Sequence, residues 1–424
     1  MARNLATEMA PPFVLVAHYF IAAALFYALS AFLLPFYADS IDGYFLSSSI
    51  ASLIHLYLLG FVMMVFFGAM YQLIPVVLEI PIFSKDFAYI QFYIFVVGIG
   101  LFCFGLAHTE YLSLMPYGAI MMYISMLIFV VNIFLTYKEL EKWDIVAKFI
   151  FVANVFLFIG ACVGFFMALD LVYGFYGDIL SLAKMHIATT IFGYVSMTIM
   201  GVGMVLLPMF SLSHGYSQKK IEFAFYFITV GLTLLLVGEV LHVRFLFEIG
   251  GALSGIAILL ATLQMRGIFK ARVRRQNDFW AKNMMASFLT LLLSVVVLVG
   301  AIVSGEQKYF ILFGFLLFFG FFIFFIIGHI YKILPFLVWY QRFSPHVGKM
   351  KVPMLSDMVK EKVADYQFWI TLVGVVISSV GIALSVKSLF QLGTFIMAIA
   401  TLLVMYNICF TLVYGLKKED QNVK

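Results

Sequence analysis

The chain has 424 residues, of which 64% are hydrophobic and only 11% are charged. A soluble fold does not need that much apolar surface, so the composition predicts a protein that crosses a membrane many times. The apolar runs are continuous, which excludes a membrane β-barrel because barrel strands alternate apolar and polar residues. The net charge of +5 reflects basic residues that are unevenly distributed between the two sides of the membrane, and it does not indicate nucleic-acid binding.

Apolar runs long enough to cross a bilayer occur twelve times. A bilayer core of roughly 30 Å takes about 20 helical residues to cross. We therefore predict an all-α integral membrane protein, a single transmembrane domain over 1–424, in which the first span is retained. The predicted spans lie near 12–37, 48–77, 87–107, 112–136, 145–169, 181–211, 221–242, 245–265, 283–303, 309–340, 367–386 and 389–416.

Basic residues are unevenly distributed between the loops on the two sides. With the amino terminus inside, the inner loops hold Lys85, Lys219, the cluster Arg266–Lys282 and the run Arg342–Lys362. The outer side holds only Lys184, Arg244, Lys308 and Lys387. The positive-inside rule therefore places both termini in the cytoplasm.

Spans 2, 6 and 10 share one spacing of glycine and proline. Two glycines lie eight residues apart, and a proline follows the second glycine by seven. The residues are Gly60, Gly68 and Pro75; Gly193, Gly201 and Pro208; and Gly320, Gly328 and Pro335. Three copies about 130 residues apart indicate an internal threefold repeat. The repeat predicts three pseudo-equivalent groups of four helices, whose glycine ridges allow close approach.

Histidines near the outer surface are candidate ligands. His55 and His186 stand near the start of spans 2 and 6, at nearly the same depth and at matching points of the repeat. His242 ends span 7 in the same outer zone, with Glu239 about one turn below it. Imidazole is a common ligand of haem iron, copper and zinc, and an ionisable group inside a membrane is costly without a partner.

A second, inner layer consists of His18 and His329. Glu239 has three open interpretations: a further metal ligand, a proton carrier, or a partner of Arg244. The remaining histidines are interpreted as interfacial; they are His108, His214 and His346.

The spacing His55–Gly60–Gly68–Pro75, with Tyr71 inside it, resembles subunit I of the haem-copper oxidase superfamily, above all the cbb-type oxidases and their nitric oxide reductase relatives. The stretch His186–Pro208 looks like the helix that supplies a copper ligand there, and Gly328–Pro335 keeps the glycine and proline of helix 10. The pattern is also similar to the NnrS-like membrane proteins, a divergent branch implicated in nitric oxide stress. The resemblance implies three arcs of four helices, a bacterial inner membrane, and a respiratory-chain or cytochrome partner.

Three places depart from the family pattern. Helix 10 should carry a His-x-His pair, but the sequence there reads Phe313-Gly314-Phe315. Helix 7 should carry an adjacent histidine pair in mid-span, but this span has only His242 at its end. The tyrosine expected one turn after the helix 6 histidine is Thr190. The resemblance therefore implies a subunit I-like scaffold that lacks the oxygen-reducing site.

We expect haem b and/or copper near the periplasmic face, with a redox role or one in nitric-oxide or metal stress; whether the protein is an enzyme, then an oxidoreductase, is open. The expected cofactor ligands are His55, His186, His329 and His18, and the expected metal ligands are His55, His186, His242 and Glu239. Two alternatives stay open. A transporter of a small solute or metal ion would use His55, Glu239 and His329 as successive stations, and an assembly factor for a respiratory complex would dock through the basic inner loops.

Overall fold

The computed structural model describes residues 11–273 and 277–416, in which the regular elements are all helical. Twelve of these helices are long and apolar enough to cross a membrane, and each corresponds to a predicted span, so the chain is a multi-pass membrane protein. The helices are α1 Phe13–Asp42, α2 Ser48–Leu78, α3 Lys85–Ala107, α4 Thr109–Glu139, α5 Ile145–Tyr173, α6 Ile179–Ser211, α7 Lys219–Val240, α8 Arg244–Lys270, α9 Phe279–Ser304, α10 Gln307–His346, α11 Glu361–Ala383 and α12 Lys387–Val413.

Two helices begin at least four residues earlier than their apolar runs predict. α9 starts at Phe279 because Asp278 caps it, with a side-chain oxygen that accepts the Ala281 N–H at 2.9 Å. α11 starts at Glu361, since its first turns are polar and lie outside the hydrophobic run that predicts the span near 367–386. Hydropathy therefore finds the membrane-crossing part of these helices but misses their polar ends.

Contacts divide the described chain into two compact units, and the division falls inside α2. The central unit comprises the described residues of Met70–Arg275, which include the end of α2 and α3 to α8. The terminal unit comprises Pro12–Ala69 and the described residues of Gln276–Lys424, which include α1, most of α2 and α9 to α12. The single transmembrane domain over 1–424 stays a prediction.

The three glycine-bearing helices change their backbone geometry at the same point. α2, α6 and α10 each contain a π-helical segment around the first glycine of the repeat. These segments are Leu58–Met63, Ala188–Val195 and Leu316–Phe322. π-Helices are rare and frequently lie at functional sites. The three helices therefore share a local structure that the glycine spacing alone does not predict.

The first helix of each group packs on the glycines of the second. A Cβ on Gly193 would lie 2.6 Å from Cβ of Phe156, and a Cβ on Gly201 would lie 2.7 Å from Cβ of Phe149. The same two contacts recur in the other groups. The opposing residues there are Phe26 and Tyr19 for Gly60 and Gly68, and Thr290 and Asn283 for Gly320 and Gly328. A Cβ at any of these points would therefore lie unusually close to a side chain of the neighbouring helix, so glycine allows the two helices to approach closely.

The third and fourth helices of each group form a glycine-lined hairpin. A Cβ on Gly374 in α11 would lie 2.7 Å from the carbonyl oxygen of Gly393 in α12, and a Cβ on Gly393 would lie 2.7 Å from that of Gly374. The glycines that recur in the three hairpins are Gly98, Gly105 and Gly118; Gly231, Gly238 and Gly250; and Gly374, Gly381 and Gly393. Backbone therefore packs directly on backbone in all three hairpins.

A side-chain amide near the end of each fourth helix binds the backbone just before the third. The bonds are Asn132 Nδ2 to Ser84 O at 2.8 Å, Gln264 Nε2 to Ser217 O at 2.8 Å, and Lys360 N to Asn407 Oδ1 at 3.0 Å. Together with the glycine contacts, these bonds support the internal threefold repeat. The arrangement of the three groups in arcs around a centre stays a prediction.

Candidate haem and copper ligands

All four histidines predicted as cofactor ligands have one ring nitrogen bonded to a backbone carbonyl. The Nδ1 bonds are His18 to Val14 at 2.6 Å, His55 to Ala51 at 2.7 Å, His186 to Gly160 at 3.0 Å and His329 to Phe325 at 2.7 Å. A carbonyl oxygen only accepts hydrogen bonds, so we assign the ring proton to Nδ1 and the lone pair of the neutral ring to Nε2. Metal-binding histidines are commonly held in this way.

His186 differs from the other three because its carbonyl partner belongs to another helix. His186 lies in α6 of the central unit, two residues before the π-helical segment, and Gly160 lies in α5. The carbonyl of His186 also accepts the hydroxyls of Thr189 at 3.1 Å and Thr190 at 2.6 Å. The ring and the backbone of this histidine are therefore both fixed by named hydrogen bonds.

His55 lies in the terminal unit, three residues before the π-helical segment of α2, and is half-buried. Large aromatic side chains cover the segment that follows it. Tyr57 packs against Phe61 and Phe319, with ring centroids 5.5 and 4.6 Å apart. This part of α2 is therefore walled by aromatic rings, which exclude water.

His329 is buried, with 5% of its surface exposed, and lies in α10 directly after Gly328. Its ring centroid lies 4.4 Å from that of Phe325 and 6.4 Å from that of Trp280, both in the terminal unit. A buried imidazole among aromatic rings can serve as an electron-rich ligand in a dry environment.

His18 occupies a position that holds lysine in the other two groups. Its neighbour Tyr19 faces Gly68, as Phe149 and Asn283 face the equivalent glycines, so His18 corresponds to Lys148 and Lys282. The repeat therefore does not support a ligand role for His18.

Neither of the two predicted metal ligands at the end of α7 is placed as a metal ligand: one is exposed, and the other is in an ion pair. His242 is exposed and adopts a positive φ of 53°, in the turn that ends the helix. Glu239 binds Lys184 of α6, with Nζ and Oε1 3.0 Å apart. The pairing of Glu239 with Arg244, one of the three interpretations, is wrong: Arg244 binds Glu248 at 2.6 Å. In residues 11–273 and 277–416, no three His, Cys, Asp or Glu side chains come together as a metal site.

His55 and His186 do not occupy matching points of the repeat. His55 precedes the first glycine of its helix by five residues, whereas His186 precedes its glycine by seven. A shift of two residues is about 200° around an α-helix, so the two imidazoles leave different faces of equivalent helices. The expected equivalence is therefore wrong, and the expected similarity of depth stays a prediction.

Buried tyrosine–glutamine pairs were not predicted and recur in two groups. The Tyr71 hydroxyl donates to Gln91 Oε1 at 2.5 Å, and the Tyr331 hydroxyl donates to Gln367 Oε1 at 3.4 Å. Each tyrosine precedes the repeat proline by four residues, and each glutamine precedes a hairpin glycine by seven. Those offsets are the signal that could have found them. The second group has Met204 and Ala224 instead.

The donor chemistry of the histidines fits haem iron or copper. Each predicted cofactor ligand presents an imidazole whose Nδ1 is held, and Cys103 and Cys162 make no competing thiolate cluster in the described chain. The oxidase departures also persist in three dimensions. Phe315 stacks on Phe319 where the helix 10 ligands are expected, and the Thr190 hydroxyl is bonded to a carbonyl.

Comparison with protein-family models and with curated proteins finds no match to this chain.

Proposed function

We propose that this is a membrane haem and/or copper protein with a subunit I-like scaffold and a redox role, in which the full oxygen-reducing site is missing. The observation that carries the proposal is the shared state of His55, His186 and His329, each with Nδ1 bonded to a carbonyl and its lone pair on Nε2. The π-helical segments beside His55 and His186 support it, because such segments are frequent at functional sites.

The protein's own residues would hold the haem or copper and shield it from water. Carbonyl oxygens hold the Nδ1 protons in place, so Nε2 is the ring nitrogen that would bind the metal. Phe325 and Trp280 exclude water around His329, and Tyr57 and Phe319 exclude it from α2. When bound, a b-type haem or a copper ion would supply one-electron exchange with a respiratory or cytochrome partner, or reactivity toward nitric oxide.

The proposal excludes oxygen reduction by the family mechanism. Helix 10 offers phenylalanine where two ligands are needed, and helix 7 ends in the exposed His242. Transport through His55, Glu239 and His329 has less support, because Glu239 is held by Lys184 and not available as a station.

Metal and haem analysis of the purified protein tests the proposal. Wild-type protein should contain iron as haem, copper, or both, and His186→Ala and His55→Ala should each lower the content at least about tenfold. His242→Ala is the matched control and should leave it unchanged. Wild-type protein without either metal, after expression with iron and copper supplied, would contradict the proposal and favour transport.

The proposal also includes a bacterial inner-membrane location with both termini in the cytoplasm, supported by the excess of lysine and arginine in the loops assigned to that side. Reporter fusions test this orientation. Green fluorescent protein joined after Gly215, before α7, should fluoresce, and alkaline phosphatase joined after Gly174, before α6, should be active. The opposite pattern would reverse the topology.

A further inference from the structure

Two glycines of α5 form a notch that holds the His186 ring. Gly160 and Gly164 lie one turn apart on the face of α5 that meets α6. The carbonyl of Gly160 binds Nδ1 of His186 at 3.0 Å. A Cβ on Gly164 would lie 2.6 Å from Cε1, 2.9 Å from Nδ1 and 3.5 Å from Nε2 of the same ring. The ring therefore lies where a side chain at 164 would be.

The notch fixes the turn of α6 that carries the histidine as well as its ring. A Cβ on Gly160 would lie 2.6 Å from Cγ2 of Thr190, which is four residues after His186. The Thr190 hydroxyl binds the His186 carbonyl at 2.6 Å. Gly160 thus leaves room for the turn after His186, and Gly164 leaves room for its imidazole ring.

This arrangement is specific to His186 among the four candidate ligands. The Nδ1 atoms of His18, His55 and His329 bond to the carbonyl four residues earlier in their own helices. Such a bond moves with its helix. A bond to a neighbouring helix instead fixes the position of the ring relative to both α5 and α6.

We propose that Gly160 and Gly164 are positioning residues that fix the tautomer and the orientation of His186 as a haem or copper ligand. The inference rests on the proposed function. The carbonyl that orients the ligand belongs to Gly160 of α5. Ligand distances in metal sites are held to about 0.2 Å. Ordinary contact begins at 3.4 Å, so a methyl group at 164 would require the ring to move by about 0.8 Å or the helices to part.

Gly164→Ala tests the notch, with Gly193→Ala as a matched control. Both add one methyl group to the α5–α6 contact at the same hypothetical distance of 2.6 Å, but the methyl at 193 meets Phe156. We expect Gly164→Ala to lower haem or copper content at least about tenfold and to shift the absorption or paramagnetic-resonance spectrum of what remains. Gly193→Ala should keep the wild-type spectrum. Equal spectra for the two variants would overturn the inference.

A second measurement covers the case in which Gly164→Ala does not fold. His186→Gly removes the ring, and added free imidazole should occupy the notch and restore the wild-type spectrum. The double variant His186→Gly with Gly164→Ala should not respond, because its notch is filled. Recovery in both proteins would overturn the inference.

The results separate this inference from the proposed function. If wild-type protein binds neither haem nor copper, the proposed function fails. If wild type binds and His186→Ala abolishes binding, while Gly164→Ala and Gly193→Ala behave alike, only the notch fails.

Discussion

The hydroxyl of Tyr57 in α2 donates a 2.7 Å hydrogen bond to the carbonyl oxygen of Phe318, inside the π-helical segment of α10. The carbonyl at the same point of α6 belongs to Ile191, and it accepts the hydroxyl of Ser196 at 2.9 Å. Both carbonyls precede the first repeat glycine by two residues. In at least two of the three groups, a side-chain hydroxyl therefore donates a hydrogen bond to a carbonyl of the π-helical segment.

We predict that Tyr57→Phe destabilises the protein by about 1–3 kcal/mol, because it leaves a buried carbonyl without this donor. Unfolding in mixed detergent micelles measures the change. Tyr27→Phe is the control: Tyr27 is equally buried and stacks on Phe61 at 4.6 Å, but its hydroxyl has no hydrogen-bond partner among the described residues. That variant should be neutral or slightly stabilising. A cost as large as that of Tyr57→Phe would show that loss of ring packing, not of the bond, matters.

Hydropathy predicted all twelve helices because a membrane core demands long apolar runs, and one glycine–proline spacing predicted the repeat. The hairpin glycines also indicate the threefold repeat, since the pairs at 98 and 105, 231 and 238, and 374 and 381 are each seven residues apart. That second spacing is a further signal of the repeat in the sequence.

The site was less predictable, for a physical reason. Which residue of α5 faces His186 depends on the register of two helices, and a single sequence does not encode register directly. The π-helical segments likewise follow from no residue type. Glu239 and Arg244 were close in sequence, but the structure gives each a different partner.

Adjacent glycines in α8 provide a test of the hairpin packing. Gly250 faces α7, and a Cβ there would lie 2.5 Å from the carbonyl oxygen of Gly231, whereas Gly251 faces open space. We predict that Gly250→Ala destabilises the protein by about 1–3 kcal/mol through overpacking. Gly251→Ala should be neutral or stabilising by about 0.5–1 kcal/mol, since alanine favours helix. Thermal unfolding of the two variants side by side measures this, and equal effects would contradict the close approach of α7 and α8.

Asp278 has two roles in the terminal unit, and they can be separated. One oxygen caps α9 through Ala281, and the other binds Nζ of Lys332 at 2.9 Å, with the lysine and aspartate side chains only 21% and 16% exposed. We predict that Asp278→Asn, which keeps the cap but removes the charge that pairs with the lysine, costs about 1–3 kcal/mol. The double variant with Lys332→Met should recover most of that loss.

Asp278→Ala should cost about 0.5–2 kcal/mol more than Asp278→Asn, because it also removes the cap. Denaturing-detergent titration of the four proteins gives the free energies. Failure of Lys332→Met to rescue Asp278→Asn would mean that the ion pair is not the reason for the loss.

The Lys184–Glu239 pair decides whether Glu239 is a ligand. Glu239 is mostly buried, with 12% of its side chain exposed, and its oxygen lies 3.0 Å from Lys184 Nζ; that lysine also lies 5.5 Å from the centre of the Phe247 ring. If the carboxylate serves to join α6 and α7, Glu239→Gln should leave haem and copper content at the wild-type level. Lys184→Met should do the same. A double-mutant cycle between the two should give a coupling of about 1 kcal/mol, because Lys184 is 43% exposed and solvent screens the pair. Loss of copper in Glu239→Gln but not in Lys184→Met would instead return Glu239 to the ligand set, since only a direct bond to the metal distinguishes the two substitutions.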